Sequence, residues 1–288
     1  MQNEHNPSCR YLGIDIGGTR IKWGVIDAKG TIVRRGLADT CPEKGAEHFL
    51  RTLCALVENA GPIEGVGICT AGIVDSRAGT VLGGIENIPF LKGMPLQALL
   101  EQASGCRARL LNDVNAAALG EHWVGAGMGC RVLFCATIGT GIGGSLMIDG
   151  AIHNGAHFHA GEIGYMRYDG GACLETDYSA SGLVRMARAK LNIPGLGPDG
   201  FFQWFPRRTP PRAKYTGTGW AALAAPWLTY LSCWTRKSLS SAAVLPSAAR
   251  CCWSLCAALF SRSCRRKCAA ITTSSWHGAR TAQACWAQ

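Results

Sequence analysis

The sequence predicts an α/β protein of two lobes followed by a tail of foreign composition. Three observations carry that expectation. Short β-rich runs alternate with helical patterns over residues 11–190, two Gly-rich turns each sit between strands, and every acidic residue precedes residue 200. At roughly 100–200 residues per domain, 288 residues allow two domains and a sizeable core. No apolar run approaches the ~20 residues of a bilayer span, and residues 1–10 (MQNEHNPSCR) are too polar for a signal peptide. The reading is a cytoplasmic protein without membrane contact. The 15 cysteines contain no C-x-x-C pair, so neither a disulfide framework nor a four-thiolate zinc site is indicated.

Residues 11–16 (YLGIDI), 20–26 (RIKWGVI) and 31–37 (TIVRRGL) read as a strand meander broken by Gly-Gly-Thr and Ala-Lys-Gly turns. Over 43–60, Ala46, Phe49, Leu50, Leu53, Leu56 and Val57 recur at helical spacing. Pro62 follows, and 64–69 (EGVGIC) reads as a buried strand. A short helix is expected over 96–102, a strand over 108–111 and a helix over 114–123. Residues 131–138 and 144–149 read as a strand pair around a Gly-rich turn. A last helix runs over 179–190, with Ser179 or Ser181 as its N-cap. The expected organisation is an N-terminal lobe over 1–113, the start of a second lobe over 114–204 and an aberrant tail over 205–288.

The tail departs sharply from the rest. Residues 201–288 hold 12 Lys plus Arg and no acid, a net +12, whereas residues 1–200 are at −2. The tail also carries seven of the 9 Trp and seven of the 15 Cys, but only three of the 37 Gly. A basic nucleic-acid arm would not be this rich in Trp and Cys, so no nucleic-acid partner is expected. Translation of a GC-rich gene out of frame yields this composition. Tryptophan has one codon and cysteine two, so the adjacent frame can be read back. Cys233-Trp234 then gives Leu, Trp234-Thr235 gives Asp, and the run to Val244 permits LDPEVIVIGGG. Residues 283–288 permit GMLGA. The expected breakpoint lies within 200–215, with irregular structure from roughly residue 205 onward.

Three motifs could carry chemistry. Asp15-Ile16-Gly17-Gly18-Thr19 lies between two strands, where paired glycines let backbone N–H groups approach a phosphate. A carboxylate at the strand end can hold Mg²⁺ through water; an ordinary hairpin turn is the plainer reading. Gly139-Thr140-Gly141-Ile142-Gly143-Gly144 repeats the strand–turn–strand setting, which argues against loops of the Rossmann and Walker types. Between them, Asn112-Asp113 sits where a strand ends and a helix begins. It reads either as a helix cap or as a general base acting on a sugar hydroxyl.

The ordered motifs DIGGTRIK (15–22), LNDVNAAALGE (111–121), IGTGIGG (138–144), NGAHFHAGEIGY (154–165) and CLE (173–175) resemble the ROK family of sugar kinases over about residues 11–190. The resemblance implies an actin-like, ribonuclease-H-type ATPase fold of two α/β lobes closing over sugar and ATP. It implies transfer of the ATP γ-phosphate to a hexose hydroxyl, usually at C6, with Mg²⁺. Asp113 would be the base, and Asn112, Glu162 and Glu175 would bind sugar hydroxyls, with Tyr165 altering the sugar's anomeric surroundings. Asn87, in Glu86-Asn87-Ile88-Pro89, reads either as a residue lining the sugar pocket or as an exposed loop Asn. Gly17, Gly18, Thr19, Lys22, Gly139, Thr140 and Gly141 would face the phosphates, with Asp15 on the metal. Family members are often homodimeric.

Two departures from the family pattern matter. Tyr165 stands where many members have a zinc-binding His, and of their cysteine cluster only Cys173 remains within 169–175. One thiolate cannot build a tetrahedral site, so no zinc is expected; His153, His157 and His159 read as loop or hydroxyl-contact residues. The family's adenosine segment, a strand followed by Gly-Gly-Gly, reappears only in the shifted frame. The chain as written is therefore expected to be a weak or inactive kinase, or a sugar-binding relative without catalysis. A repressor of the same family is disfavoured, because Asp15 leaves no room before it for a winged helix.

Overall fold

The computed structural model describes residues 9–167, 173–191, 195, 197 and 241–246. Strands β1 (Arg10–Ile16), β2 (Arg20–Asp27) and β3 (Ile32–Asp39) form the expected antiparallel meander. Helix α1 (Gly45–Ala60) leads to β4 (Gly65–Thr70), and β5 (Ile73–Asp75) with β6 (Thr80–Gly83) makes a small hairpin. Helix α2 (Leu96–Ser104) and β7 (Arg107–Asn112) complete a five-stranded sheet of order β3-β2-β1-β4-β7, in which β1, β4 and β7 run parallel. β1 and β4 are buried almost throughout, which is why both read as continuous apolar runs. Phe49, Leu53, Leu56 and Val57 of α1, with Leu96 and Leu100 of α2, share a core with Leu12, Ile14, Val66, Ile68 and Leu110 of the sheet. β3 closes the sheet with an exposed edge guarded by Arg34 and Arg35.

Helix α3 (Asp113–Val124) joins the two lobes. Ala117 and Ala118 pack on Leu133, Cys135 and Met147 of the second sheet, while Ala116 meets Cys69 and Leu111 of the first. Small side chains let one helix lie close to both sheets, so its N-terminus opens at their junction. The second sheet has the order β10-β9-β8-β11, built from β8 (Val132–Ile138), β9 (Ile142–Ile148), β10 (Ala151–Ile152) and β11 (Ser241–Pro246). Helices α4 (Leu174–Tyr178) and α5 (Ala180–Leu191) stand between β10 and β11 in the chain. Both sheets share one plan: a hairpin bent at a Gly-rich turn, with a parallel strand beside its first arm, β4 next to β1 and β11 next to β8. This is the two-lobed α/β architecture of actin-like ATPases. Among the described residues no helix is long and apolar enough to cross a membrane.

The helix expected over 179–190 forms as α5, and Ser179 accepts the Gly182 N–H at 3.1 Å, so of the two serines Ser179 fills the capping role. The short α4 ahead of it was not expected, and one expectation changes. Of the tail expected to be irregular, residues 241–246 form a regular strand, paired from Ser241 opposite Leu133 to Pro246 opposite Ile138. Through this backbone pairing β11 takes the edge of β8 that β9 leaves open. The remaining tail residues lie outside the described part of the chain.

Candidate active site

β1 and β2 run antiparallel with Asp15 opposite Lys22, and the Lys22 Nζ donates to Asp15 Oδ2 at 3.2 Å. Behind this pair the Cys69 thiol of β4 donates to Asp15 Oδ1 at 3.7 Å. Asp15 is only 8% exposed, and burial raises its pKa against the opposing pull of Lys22 and Cys69. The turn beyond is shaped by the Gly17 N–H, which donates to the Arg20 carbonyl at 3.1 Å, and by the Thr40 hydroxyl, which donates to the Gly17 carbonyl at 2.7 Å. Gly17 thus forms the bend. Among the described residues the N–H groups of Gly18 and Thr19 have no protein acceptor, and both residues are exposed. The second turn divides its labour the same way. The Gly139 N–H donates to the Gly141 carbonyl at 2.9 Å, the Gly139 carbonyl accepts from Ala180 N at 2.8 Å, and Thr140 is exposed.

Asn112 ends β7 beside Thr70 and caps α3. Its Oδ1 accepts the N–H groups of Val114 at 2.8 Å and Asn115 at 3.2 Å, and its Nδ2 donates to the Gly72 carbonyl at 2.9 Å. The capping reading holds for Asn112, which fixes the first turn of α3 and so aims the next side chain. Asp113 also accepts the Val114 N–H, at 2.9 Å. Its pKa is pushed up to about 6, first by burial and then by the Asp15 charge, with Lys22 pulling the other way. Glu162, from the loop after β10, is raised to about 7 by burial and by the Asp113 and Glu175 charges. The charges of Asp113 on α3 and Glu175 on α4 thus reach Glu162 on that loop, and those of Asp15 and Lys22 reach Asp113. A general base tuned near neutrality is what such an arrangement provides.

The first lobe supplies the opposite wall. Asn87, an exposed residue, lies against the Gly18 backbone: a Cβ on Gly18 would stand 3.3 Å from its side chain. Its neighbour Glu86 raises the Tyr165 pKa together with Glu175 and Glu162, although burial contributes most. Tyr165 is 65% exposed and within electrostatic reach of all three acids. Farther out, Asn154 Nδ2 donates to Ser76 Oγ at 3.4 Å and the Arg77 guanidinium lies 6.0 Å from the Phe158 ring centroid, so the loop after β10 touches the β5–β6 hairpin across the lobes. His153, His157 and His159 are exposed on that loop. Among the described residues no group of three or more His, Cys, Asp or Glu is placed to hold a metal ion, and residues 168–172 lie outside them.

Sequence reasoning missed Cys69 and Thr40 behind the first turn, Glu86 in the far wall, and the Ile142 N–H, which donates to Glu175 Oε2 at 2.8 Å. None carries a local signal, since each acquires its role through a contact between segments distant in the chain.

Residues 11–195 match the model of the ROK family. A glucokinase of Halalkalibacterium halodurans is 33% identical over 195 residues, covering 62% of this chain and 58% of that protein. Among solved structures, a ROK family glucokinase from Streptomyces griseus in complex with glucose and AMPPNP superimposes with a TM-score of 0.67 at 30% identity, covering 82% of this chain and 83% of the other. A ROK hexokinase from Thermus thermophilus gives 0.66 at 28% identity, covering 83% of this chain and 82% of the other. The chain spans between about half and two thirds of the length of the curated relatives it matches in sequence.

Proposed function

Because the chain belongs to the ROK family, we propose that this cleft transfers the γ-phosphate of ATP to a hexose or hexose derivative, at its 6-hydroxyl. The observation that carries the reading is the coupling of Asp113 to Asp15 and Lys22 on one side and to Glu162 on the other. One carboxyl group is thereby within electrostatic reach of both the turn suited to phosphates and the acids suited to a polyol. The glucose and AMPPNP held by the Streptomyces griseus relative are the two ligand classes this arrangement would take.

In the proposed reaction the Asp113 carboxylate accepts the hydroxyl proton as the sugar oxygen attacks the γ-phosphorus. The bond from that phosphorus to the β,γ-bridging oxygen breaks, and ADP carries the electron pair away. Glu162 and Glu175 accept hydrogen bonds from other hydroxyls and fix the sugar for in-line attack. Asn112 holds α3 in place and keeps one Nδ2 hydrogen for the sugar, while Asn87 and Tyr165 border the pocket. The N–H groups of Gly18, Thr19, Thr140 and Gly141 face the phosphates, with Gly17 and Gly139 shaping the turns and Lys22 adding positive charge. Asp15 fits Mg²⁺ held through water: its buried carboxylate lies beside a second acid, with Lys22 as the cation bonded to it. When bound, the metal would supply charge neutralisation on the phosphates.

We infer further that residues from about 205 onward are read out of frame, so that the chain as written binds sugar better than it transfers phosphate. Residues 233–244 read CWTRKSLSSAAV, where the shifted frame permits a strand followed by three glycines. The test is a coupled phosphorylation screen over a panel of hexoses, on this chain and on a frame-restored one, with the gene resequenced across codons 195–220. ADP release with at least one hexose is expected from the frame-restored chain, at a rate well above that of the chain as written. No turnover with any hexose would contradict the kinase reading; equal turnover would contradict the frame reading.

A further inference from the structure

The sugar acids and the second phosphate turn are joined directly through Glu175. Its Oε2 accepts the N–H of Ile142, the residue that closes the 139–142 turn and starts β9, at 2.8 Å. The fit is tight: a Cβ on Gly141 would stand 2.5 Å from that same oxygen, so a side chain there and the Glu175 carboxylate compete for one volume. Glu175 sits in the first turn of α4, whose Leu174 N–H donates to the Met166 carbonyl at 2.9 Å, which ties α4 to the loop carrying Glu162 and Tyr165. On the far side of α4, the Ala180 N–H holds the Gly139 carbonyl at 2.8 Å. The turn is thus gripped at both ends from the α4 segment. Among the described residues Oε2 alone of the two Glu175 oxygens has a hydrogen-bond donor, which leaves Oε1 to receive a hydroxyl.

We propose that Glu175 is a positioning residue that transmits sugar occupancy to the phosphate turn: a hydroxyl bound at Oε1 fixes the carboxylate, and the carboxylate fixes Ile142 and Gly141. This rests on the sugar-kinase reading above but goes beyond it, since a residue that only bound sugar would leave the turn indifferent. By reciprocity, a nucleotide that orders the turn favours the sugar-binding arrangement of Glu175.

The experiment is amide hydrogen exchange of the 139–143 segment in the full chain, with and without saturating glucose, in wild type, Glu175→Gln and Glu175→Ala. Glucose binding is measured separately by calorimetry, and the β8 segment 132–138 serves as the internal control for global unfolding. In the ligand-free state Glu175→Ala is expected to exchange Ile142 about ten- to a hundredfold faster than wild type, the loss of one hydrogen bond to a charged acceptor. Glu175→Gln, whose neutral amide oxygen still accepts but more weakly, is expected to fall between the two. Glucose is expected to slow Ile142 exchange in wild type and to leave it unchanged in Glu175→Ala. If Glu175→Ala also loosens β8, Glu175→Gln decides the matter: glucose is expected to slow its Ile142 exchange less than in wild type, and an equal response would overturn the proposal. Wild-type protection in Glu175→Ala, or glucose binding that leaves the turn unaffected, would overturn the proposal while the kinase reading stands. A chain that binds no hexose would overturn both.

Discussion

Asp113→Asn is expected to lower phosphate transfer by about a thousandfold in the frame-restored chain, within the range for losing a general base, while hexose affinity moves by less than about tenfold. The amide has the size of the carboxylate and keeps an oxygen for the Val114 N–H, so the first turn of α3 retains its bond. What it lacks is the capacity to take a proton. Asn112 still caps the helix through Val114 and Asn115, so the exchange alters chemistry rather than architecture. Removing a charge beside Asp15 and Glu162 also relieves repulsion among buried acids, so the variant should fold at least as stably as wild type. Single-turnover transfer alongside calorimetric hexose binding separates the two effects. Transfer within tenfold of the parent would show that the proton leaves by another route.

Gly144→Ala is expected to cost about 2–3 kcal/mol of stability, an overpacking penalty, and to weaken hexose binding. β9 and the loop after β10 cross at Gly144 and Gly161 with backbones in contact. A Cβ on Gly144 would fall on the Gly161 carbonyl oxygen, closer than atoms approach, and one on Gly161 would stand 2.6 Å from the Gly144 carbonyl oxygen. Neither strand can withdraw freely. Gly144 is paired with Ala136 in the sheet, and Gly161, at φ +92°, precedes Glu162. Any relief moves Glu162 away from Asp113, so sugar affinity falls together with the melting temperature. Gly83→Ala is the control, because its added carbon meets nothing within 4 Å and Gly83 is absent from the positive-φ glycines; it should be nearly neutral. A Gly144→Ala chain melting with wild type would show that the crossing is looser than described.

Much of the first lobe was legible because its strands and helices are long and strongly patterned: the buried runs of β1 and β4 and the helical spacing of Phe49, Leu53 and Leu56 each point to one element. The β5–β6 hairpin and five-residue α4 were not, because elements this short carry no period. The strand at Ser241–Pro246 escaped for a related reason, since a short apolar run inside a Trp- and Cys-rich stretch becomes a strand only when an open sheet edge stands beside it. In the site, the placement of Asp113 at a strand-to-helix junction followed from sequence. The division within the Gly-rich motifs did not. Gly17 and Gly139 bend the turns, Gly141 makes room for Glu175 and Gly144 makes room for Gly161, distinctions that exist only once distant segments meet.

The central claim is that the Asp113 carboxyl group waits in a shared cleft beside a hexose hydroxyl. It is tested most directly by following that carboxyl by carbon-13 NMR across pH, assigned by the signal missing in Asp113→Asn, with and without glucose. Burial and the Asp15 charge raise the protonated fraction, so the account predicts a midpoint near pH 6 in the free chain, with a further displacement when glucose binds. A midpoint at the ordinary aspartate value of about 4, unmoved by the sugar, would contradict it.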